Sequence, residues 1–232
     1  MTPSHDLKTL IAHKNGPIIA PGIFDCLGAQ VAEKLGFDTA IITGNGLSGS
    51  TIGKPDFGLL SFGEIIYEAR NIARSVSIPV IADADTGYGG VLNMIRTVEE
   101  MEQAGLAGLF VEDQTFPKRC SYVPGGGELV ERDEFVKKIH AARWAANTDR
   151  FVVVARTDAA VSGTVIDAID RGNAYGDAGA DLIFVVGVND GKALEHVRRN
   201  LRFPIMINVN EGEALSQLRY DDIRDLGIDL VM

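Results

Sequence analysis

"IPVIADADTGYGG", residues 78–90, sets a short apolar run between a proline and a glycine-rich turn, with two carboxylates at the junction. A run that short, apolar on both faces and bounded by turn residues, reads as a buried strand of a parallel sheet. The unit recurs. Strands are expected at about 18–21, 39–43, 79–85, 107–112, 151–157, 182–187, 204–209 and 228–232. The even-numbered ones are entered through a glycine turn, in "LGFDTAII", "AGLAGLFV", "AGADLIFV" and "LGIDLVM". Glycine suits the end of a helix, where the chain often needs positive φ. Three of the others are entered through proline, in "GPIIA", "IPVIA" and "FPIMI".

Helix-period segments lie between these strands. Ser61 and Glu64 form a capping box ahead of Ile65, Ile66, Ala69, Ile72 and Ala73. Thr164 is placed to cap a second helix, with Ile166, Ile169 and Ala174 inward, and 131–146 carries Phe135, Ile139 and Ala142 at helical spacing. Eight strand–helix units read as a (β/α)8 TIM barrel, a single domain over residues 1–232; a doubly wound open sheet is the alternative. The chain stops inside the eighth strand. Either the sequence is a shortened product or a neighbouring subunit covers that strand, and both readings call for an exposed apolar seam.

Hydrophobic residues make up 46% of the chain, enough for a sizeable core. A net charge of −10 argues against a nucleic-acid partner, which needs a basic face. It leaves room for a small anionic substrate, because a metal and a few local cations reverse the sign inside a pocket. No run is long enough to span a membrane, and "MTPSHDLKTL" lacks the features of a signal peptide. Cys26 and Cys120 make neither a disulfide framework nor a zinc cluster, which points to a reducing cytoplasm. Cys26 sits on an apolar helix pattern and reads as core. His5, His13, His140 and His196 have no metal spacing.

In such a barrel the chemistry gathers where strands end. Phe24 and Asp25 leave the first strand, and a glycine-rich loop with Asp56 near its end leaves the second. Asp83 and Asp85 leave the third, Glu112 and Asp113 the fourth, Arg156 and Asp158 the fifth, and Asn208, Asn210 and Glu211 the seventh. Residues two apart on a strand face one way, so Asp83 and Asp85 repel unless a cation lies between them. With Glu112 the set is all oxygen, which suits Mg2+ or Mn2+ rather than zinc. The plainer reading is that "DADTG" caps a helix and shapes a turn.

"DADTGYG", "VEDQ", "PKRC" and "VARTDA", in this order on successive strands, resemble the isocitrate lyase / phosphoenolpyruvate mutase superfamily, most closely its 2-methylisocitrate lyase, dimethylmalate lyase and carboxyphosphonoenolpyruvate mutase-like members. The resemblance runs over about residues 16–232. It implies a Mg2+-binding barrel that acts on 2-oxo or 2-hydroxy carboxylates through a metal-stabilised enolate. It implies also a homo-oligomer, dimer or tetramer, with C-terminal helices exchanged between neighbours. Asp83 and Asp85 would then hold Mg2+ with Glu112 beside them, and Asp56 would be a lid or supporting acid. Thr43, Gly44 and Asn45 would receive a substrate carboxylate, with Asn208 and Glu211 beyond. Arg156 would clamp a carboxylate and the enolate oxygen. Lys118, Arg119 and Cys120 would lie on a mobile closing loop, with Cys120 as proton donor, its pKa lowered by the two flanking cations.

Two departures matter. Ser121 and Tyr122 stand where the lyases commonly have glycine and histidine, and Val185, Val186 and Gly187 stand where the tricarboxylate lyases carry a glutamate. Both favour a smaller or less charged substrate. The expected function is a Mg2+-dependent carbon–carbon lyase on a small 2-hydroxy or 2-oxo dicarboxylate, alkylmalate- or oxaloacetate-like. The alternatives are a phosphonomutase or C–P or C–C hydrolase of the same superfamily, or a silent carboxylate-binding barrel.

Overall fold

The computed structural model describes residues 7–13, 15–121, 123, 125–188 and 190–232; His5 and Tyr122 lie outside the described residues. Strands β1 (Ile18–Ile19), β2 (Gly22–Ile23), β3 (Ala40–Ile42), β4 (Val80–Asp83), β5 (Gly108–Glu112), β6 (Val152–Thr157), β7 (Leu182–Val185), β8 (Ile205–Ile207) and β9 (Leu230–Val231) form one parallel sheet. Its order is β1-β9-β8-β7-β6-β5-β4-β3-β2. These nine strands make eight staves. β1 lies within the first expected strand, 18–21, and β2 follows just beyond it; β1 pairs with β9 and β2 with β3, which closes the ring. The break falls at Ala20 and Pro21. Ala20 donates its N–H to the Val231 carbonyl, whereas Pro21 has none to give and only accepts, from Ile41. The expected (β/α)8 barrel is the fold.

The strands are apolar on both faces because both faces are covered. Ile18, Ile41, Ile81, Phe110, Val154, Phe184 and Met206 fill the barrel interior, while alternate residues such as Ile42, Leu109, Val153 and Ile183 meet the helices. Each fully buried side chain of this size contributes roughly 1.5–3 kcal/mol. Helix α1 (Leu7–His13) plugs the end where strands begin, with Leu7 fully buried in the interior cluster. The opposite mouth is left for chemistry.

The outer helices are α2 (Cys26–Lys34), α3 (Gly44–Ile52), α4 (Phe62–Arg74), α5 (Val91–Ala104), α6 (Arg132–Ala145), α7 (Ala159–Ser162), α8 (Val165–Asp177), α9 (Gly191–Asn200) and α10 (Tyr220–Asp225). The capping box opens α4: Glu64 returns its carboxylate to the Ser61 N–H at 2.8 Å. The four glycine turns adopt positive φ at Gly36, Gly105, Gly179 and Gly227. Ile166 corrects the sequence reading: it is 66% exposed. The buried face of α8 is Ala168, Ile169, Gly172, Tyr175 and Gly176. Ile166 lies roughly 120° round from the centre of that face at 100° per residue.

Apolar surface is present beside the first stave rather than on the last. Leu230 and Val231 are buried, whereas Leu27, Val31 and Leu35 make an exposed stripe along α2. Cys26 packs partly against the core, as expected. Among the described residues no helix is long and apolar enough to cross a membrane.

Candidate active site

The alternation that fills the interior continues past the strand ends. Stepping two residues on from Ile41, Ile81, Phe110, Val154, Phe184, Met206 and Leu230 gives Thr43, Asp83, Glu112, Arg156, Val186, Asn208 and Met232. All but the deeply buried Glu112 line a cavity of about 250 Å3 at this mouth, with Gly44, Asn45, Asp56, Cys120, Ser121 and Asn210. The lower wall is aromatic: Phe110 and Phe184 meet edge to face at 5.9 Å, and the Arg156 guanidinium lies 5.7 Å from the Phe184 ring centre.

Asp85 reaches the site by a different route from the one expected. β4 ends at Asp83, and Asp85 stands in a left-handed turn at φ 47°, followed by Tyr88 at φ 57°. Non-glycine residues hold that conformation at a cost of about 1 kcal/mol or more, and only where surrounding contacts fix them. Here Asp83 Oδ1 accepts the Asp85 N–H at 2.9 Å, the Asp85 carbonyl accepts from Glu112, and Lys138 Nζ donates to the Thr86 carbonyl. The turn, not strand alternation, aims the second carboxylate.

A cation does lie between the acids, and it belongs to the chain. Lys118 is 1% exposed; its Nζ lies 2.5 Å from Asp85, 2.8 Å from Asp56 and 4.0 Å from Asp83. Burial opposes its charge, but Asp83, Glu112, Asp85 and Asp56 outweigh that and hold it well above the usual lysine range. Burial raises Asp85 to about 6, against the pull of Lys118, and moves Asp56 upward for the same reason. Among the described residues no three acid, histidine or cysteine side chains stand as a ready set of metal ligands. Asp83, Asp85 and Glu112 were expected as such a set; the ammonium draws Asp56 and Asp85 to itself instead.

Glu112 and Arg156 are partners across the β5–β6 ladder. Glu112 is 1% exposed, and burial lifts its pKa to about 8 despite the nearby Arg156. Its Oε2 lies 2.9 Å from Arg156 Nη1 but off the line of the N–H, and neither of its oxygens accepts a hydrogen bond among the described residues. Arg156 commits its Nε edge to Asp158, at 2.9 and 2.8 Å. Its Nη1 stands in the ion pair with Glu112, so the guanidinium sits between two buried acids at the cavity wall.

The other expected site residues divide. Thr43 caps α3, accepting from the Gly46 N–H, and the Gly44 N–H is given to Asp83 Oδ2 at 3.1 Å, so it is already engaged. A Cβ at Gly44 would lie 2.5 Å from that oxygen, which explains the glycine. Asn45, Asn208, Cys120 and Ser121 line the cavity. Arg119 is exposed, and Glu211 sits exposed in the turn after β8, where Asn210 takes the inward place. Asp25 caps α2. Two residues outside the expected site set stand out. Asp113, fully buried, accepts from Thr157 Oγ1, the Asp158 N–H, Tyr175 and Arg171. Gln114 is 1% exposed and bonds the loop carrying Lys118 and Cys120. Their position beside Glu112 in "VEDQ" was the available signal.

A model of the phosphoenolpyruvate phosphomutase family matches residues 7–232. The 2,3-dimethylmalate lyase of Eubacterium barkeri is 36% identical over 232 residues, covering 100% of this chain and 80% of that protein. A solved oxaloacetate acetylhydrolase in complex with 3,3-difluorooxalacetate superposes with a TM-score of 0.91 at 32% identity, over 99% of this chain and 79% of that one. A phosphonopyruvate hydrolase in complex with oxalate and Mg++ does so at 0.89 and 33%, over 100% and 80%. The barrel, its acid-lined mouth and these matches agree: the chain belongs to the phosphoenolpyruvate phosphomutase family, within the PEP mutase/isocitrate lyase superfamily.

Proposed function

We infer that the chain is a divalent-metal-dependent carbon–carbon lyase that cleaves a small 2-hydroxy or 2-oxo dicarboxylate of the alkylmalate or oxaloacetate kind. The observation that carries this reading is the meeting, at one cavity, of an acid cluster that already gathers a cation, a buried arginine, and Cys120. The relatives named above act on, or bind, small carboxylates of this class.

The donor set fits a hard cation. It is all oxygen, the Lys118 ammonium occupies the place of positive charge, and Glu112 has two buried oxygens that accept no hydrogen bond among the described residues. Asp83, Asp85 and Glu112 would hold the ion, Mg2+ with Mn2+ as substitute, and Asp56 would support them. When bound, the ion supplies positive charge at the oxygen that gains electrons as the bond breaks.

The chain's own residues do the rest. A malate-type substrate loses its 2-hydroxyl proton to a site carboxylate, and the C2–C3 electron pair moves to the departing fragment. C2 becomes the carbonyl of a 2-oxo acid, and the Cys120 thiol returns a proton to C3. The Arg156 guanidinium steadies the developing oxyanion more in the transition state than before it. Asn208 and Asn210 line the cavity where a second carboxylate would lie, while Phe184, Val186 and Val209 form an apolar wall that suits an alkyl group. The exposed stripe of α2 supports a homo-oligomer, and the two-cysteine composition a cytoplasmic setting.

The test is release of pyruvate or a homologue from a panel of 2-hydroxy dicarboxylates, with Mg2+ and with EDTA. Silence across the panel, alongside tight Mg2+-dependent oxalate binding, would leave a binding protein instead.

A further inference from the structure

We propose that Gln114 is a positioning residue, a side-chain clamp that sets Lys118 and Cys120 in their places by gripping the backbone of Arg119 between them. The part of this inference that concerns turnover rests on the lyase reading; the clamp itself does not.

Gln114 follows β5 and is 1% exposed. Its Oε1 accepts the Arg119 N–H at 2.9 Å, and its Nε2 donates to the Arg119 carbonyl at 2.9 Å. The amide thus meets the donor and the acceptor of one residue, as a neighbouring strand would. Turned over, it would oppose donor to donor and acceptor to acceptor, so the network fixes its orientation. Burial alternates along this segment, and Arg119 is the exposed residue. Its neighbours turn inward: Lys118 to the acids and Cys120 to the cavity. One buried amide therefore indexes both.

The surroundings are built for the amide. Gln114 bridges to Leu129 in antiparallel fashion, and the Thr115 N–H donates to the Glu128 carbonyl at 2.8 Å, so the loop returns alongside its own stem. Ser162 Oγ holds the Gly127 carbonyl at 2.8 Å. A Cβ on Gly127 would collide with Gln114 Oε1, so glycine there makes room for the clamp, and its φ is not in the left-handed range.

The experiment reads iodoacetamide alkylation of each cysteine by peptide mass spectrometry, with Cys26 as the internal control, in wild type, Gln114→Leu and Gly127→Ala. The leucine removes both hydrogen bonds; the alanine leaves Gln114 in the chain and pushes its amide off Arg119. Both variants should alkylate Cys120 about tenfold faster, with Cys26 unchanged. Removing the obstacle in Gln114→Ala/Gly127→Ala should add nothing to the effect of either change. Turnover should fall in kcat, with affinity for oxalate plus Mg2+ held within about twofold. A Cys120 rate within about twofold of wild type in both folded variants overturns the clamp, as does a parallel rise at Cys26, which would mean general loosening. Should Gln114→Leu fail to fold, Gly127→Ala alone decides. A wild type without turnover but with the expected alkylation pattern overturns the lyase reading and leaves the clamp standing; normal turnover and alkylation in the variants does the reverse.

Discussion

Replacing Tyr175 by phenylalanine tests whether Asp113 works as a charged hub behind the active site. Tyr175 is fully buried on α8; its hydroxyl donates to Asp113 Oδ2 at 2.8 Å and accepts from Arg171 Nη1 at 3.2 Å. The ring packs edge to face on Phe135, 4.7 Å away, and phenylalanine keeps that contact. What is lost is a hydrogen bond to an ionised acceptor, worth about 1.5–3 kcal/mol. Asp113 retains Thr157, the Asp158 N–H and Arg171, so the lower part of that range applies, about 2 kcal/mol. In a chain of this length that lowers Tm by roughly 4–8 °C. Urea denaturation followed by far-ultraviolet circular dichroism measures it, and a cycle with Asp113→Asn should return a coupling of about 1–2 kcal/mol. Loss of less than ~0.5 kcal/mol, with no coupling, would show that the hydroxyl finds equal partners elsewhere and that Asp113 is not held as an anion by this network.

Asp85→Ala and Arg156→Ala should each abolish turnover while circular dichroism still reports a folded barrel; near-normal rates in either would move the chemistry elsewhere. Lys118→Met removes the cation from the acid cluster and should destabilise the protein in EDTA by about 3 kcal/mol, with millimolar Mg2+ restoring part of the loss in thermal melts. Gly108→Ala places a Cβ 2.5 Å from the Val152 carbonyl, inside the β5–β6 ladder, and should cost about 2 kcal/mol or more in urea. Asp229 accepts from the Ile205 N–H, and burial raises its pKa above 3.8. A raised folded value means its contribution is full below about 3.8 and lost as pH rises through the folded value. Asp229→Asn keeps the acceptor and should therefore gain ~0.5 kcal/mol on wild type near pH 7, with the gain gone near pH 3.5 in parallel urea titrations.

Much of the barrel was legible because its signals are local. Glycine turns, the Ser61–Glu64 box and short apolar runs each follow from the backbone conformation of a few residues. The split of the first stave was not, since it depends on which neighbour Ala20 and Pro21 meet across the ring. Thr43, Asp83, Arg156 and Asn208 could be placed at the mouth from strand ends, because side-chain alternation carries the interior face outward, whereas Lys118 and Cys120 came only from the family resemblance. The wiring of the mouth was not legible. Lys118 lies 62 residues from Asp56 in sequence, and nothing local says that its ammonium will sit between Asp56 and Asp85. The same holds for the Gly44 N–H, 39 residues from Asp83, and for the shift from Glu211 to Asn210, where one turn residue decides which side chain points inward.

Where the chain breaks local rules, it breaks them together. The left-handed Asp85 and Tyr88, the Glu112 oxygens and Tyr88 hydroxyl that have no hydrogen bond among the described residues, and the buried Lys118 all belong to the acid cluster at the ends of β4 and β5 and the segments that follow them. Elsewhere the caps, turns and core obey those rules. Random drift would scatter such costs, whereas a site that must hold charge concentrates them. A buried lysine between two aspartates lowers the repulsion, yet Glu112 still stands unaccepted and is raised to about 8. Asp56, Asp83, Asp85 and Glu112 share two buried cations, Lys118 and Arg156, and Arg156 also serves Asp158, so a further hard cation would still find carboxylates to bind. The strain of the mouth is thus the physical argument for a ligand that brings positive charge with it, and a small dicarboxylate is the anion such a charge would then receive.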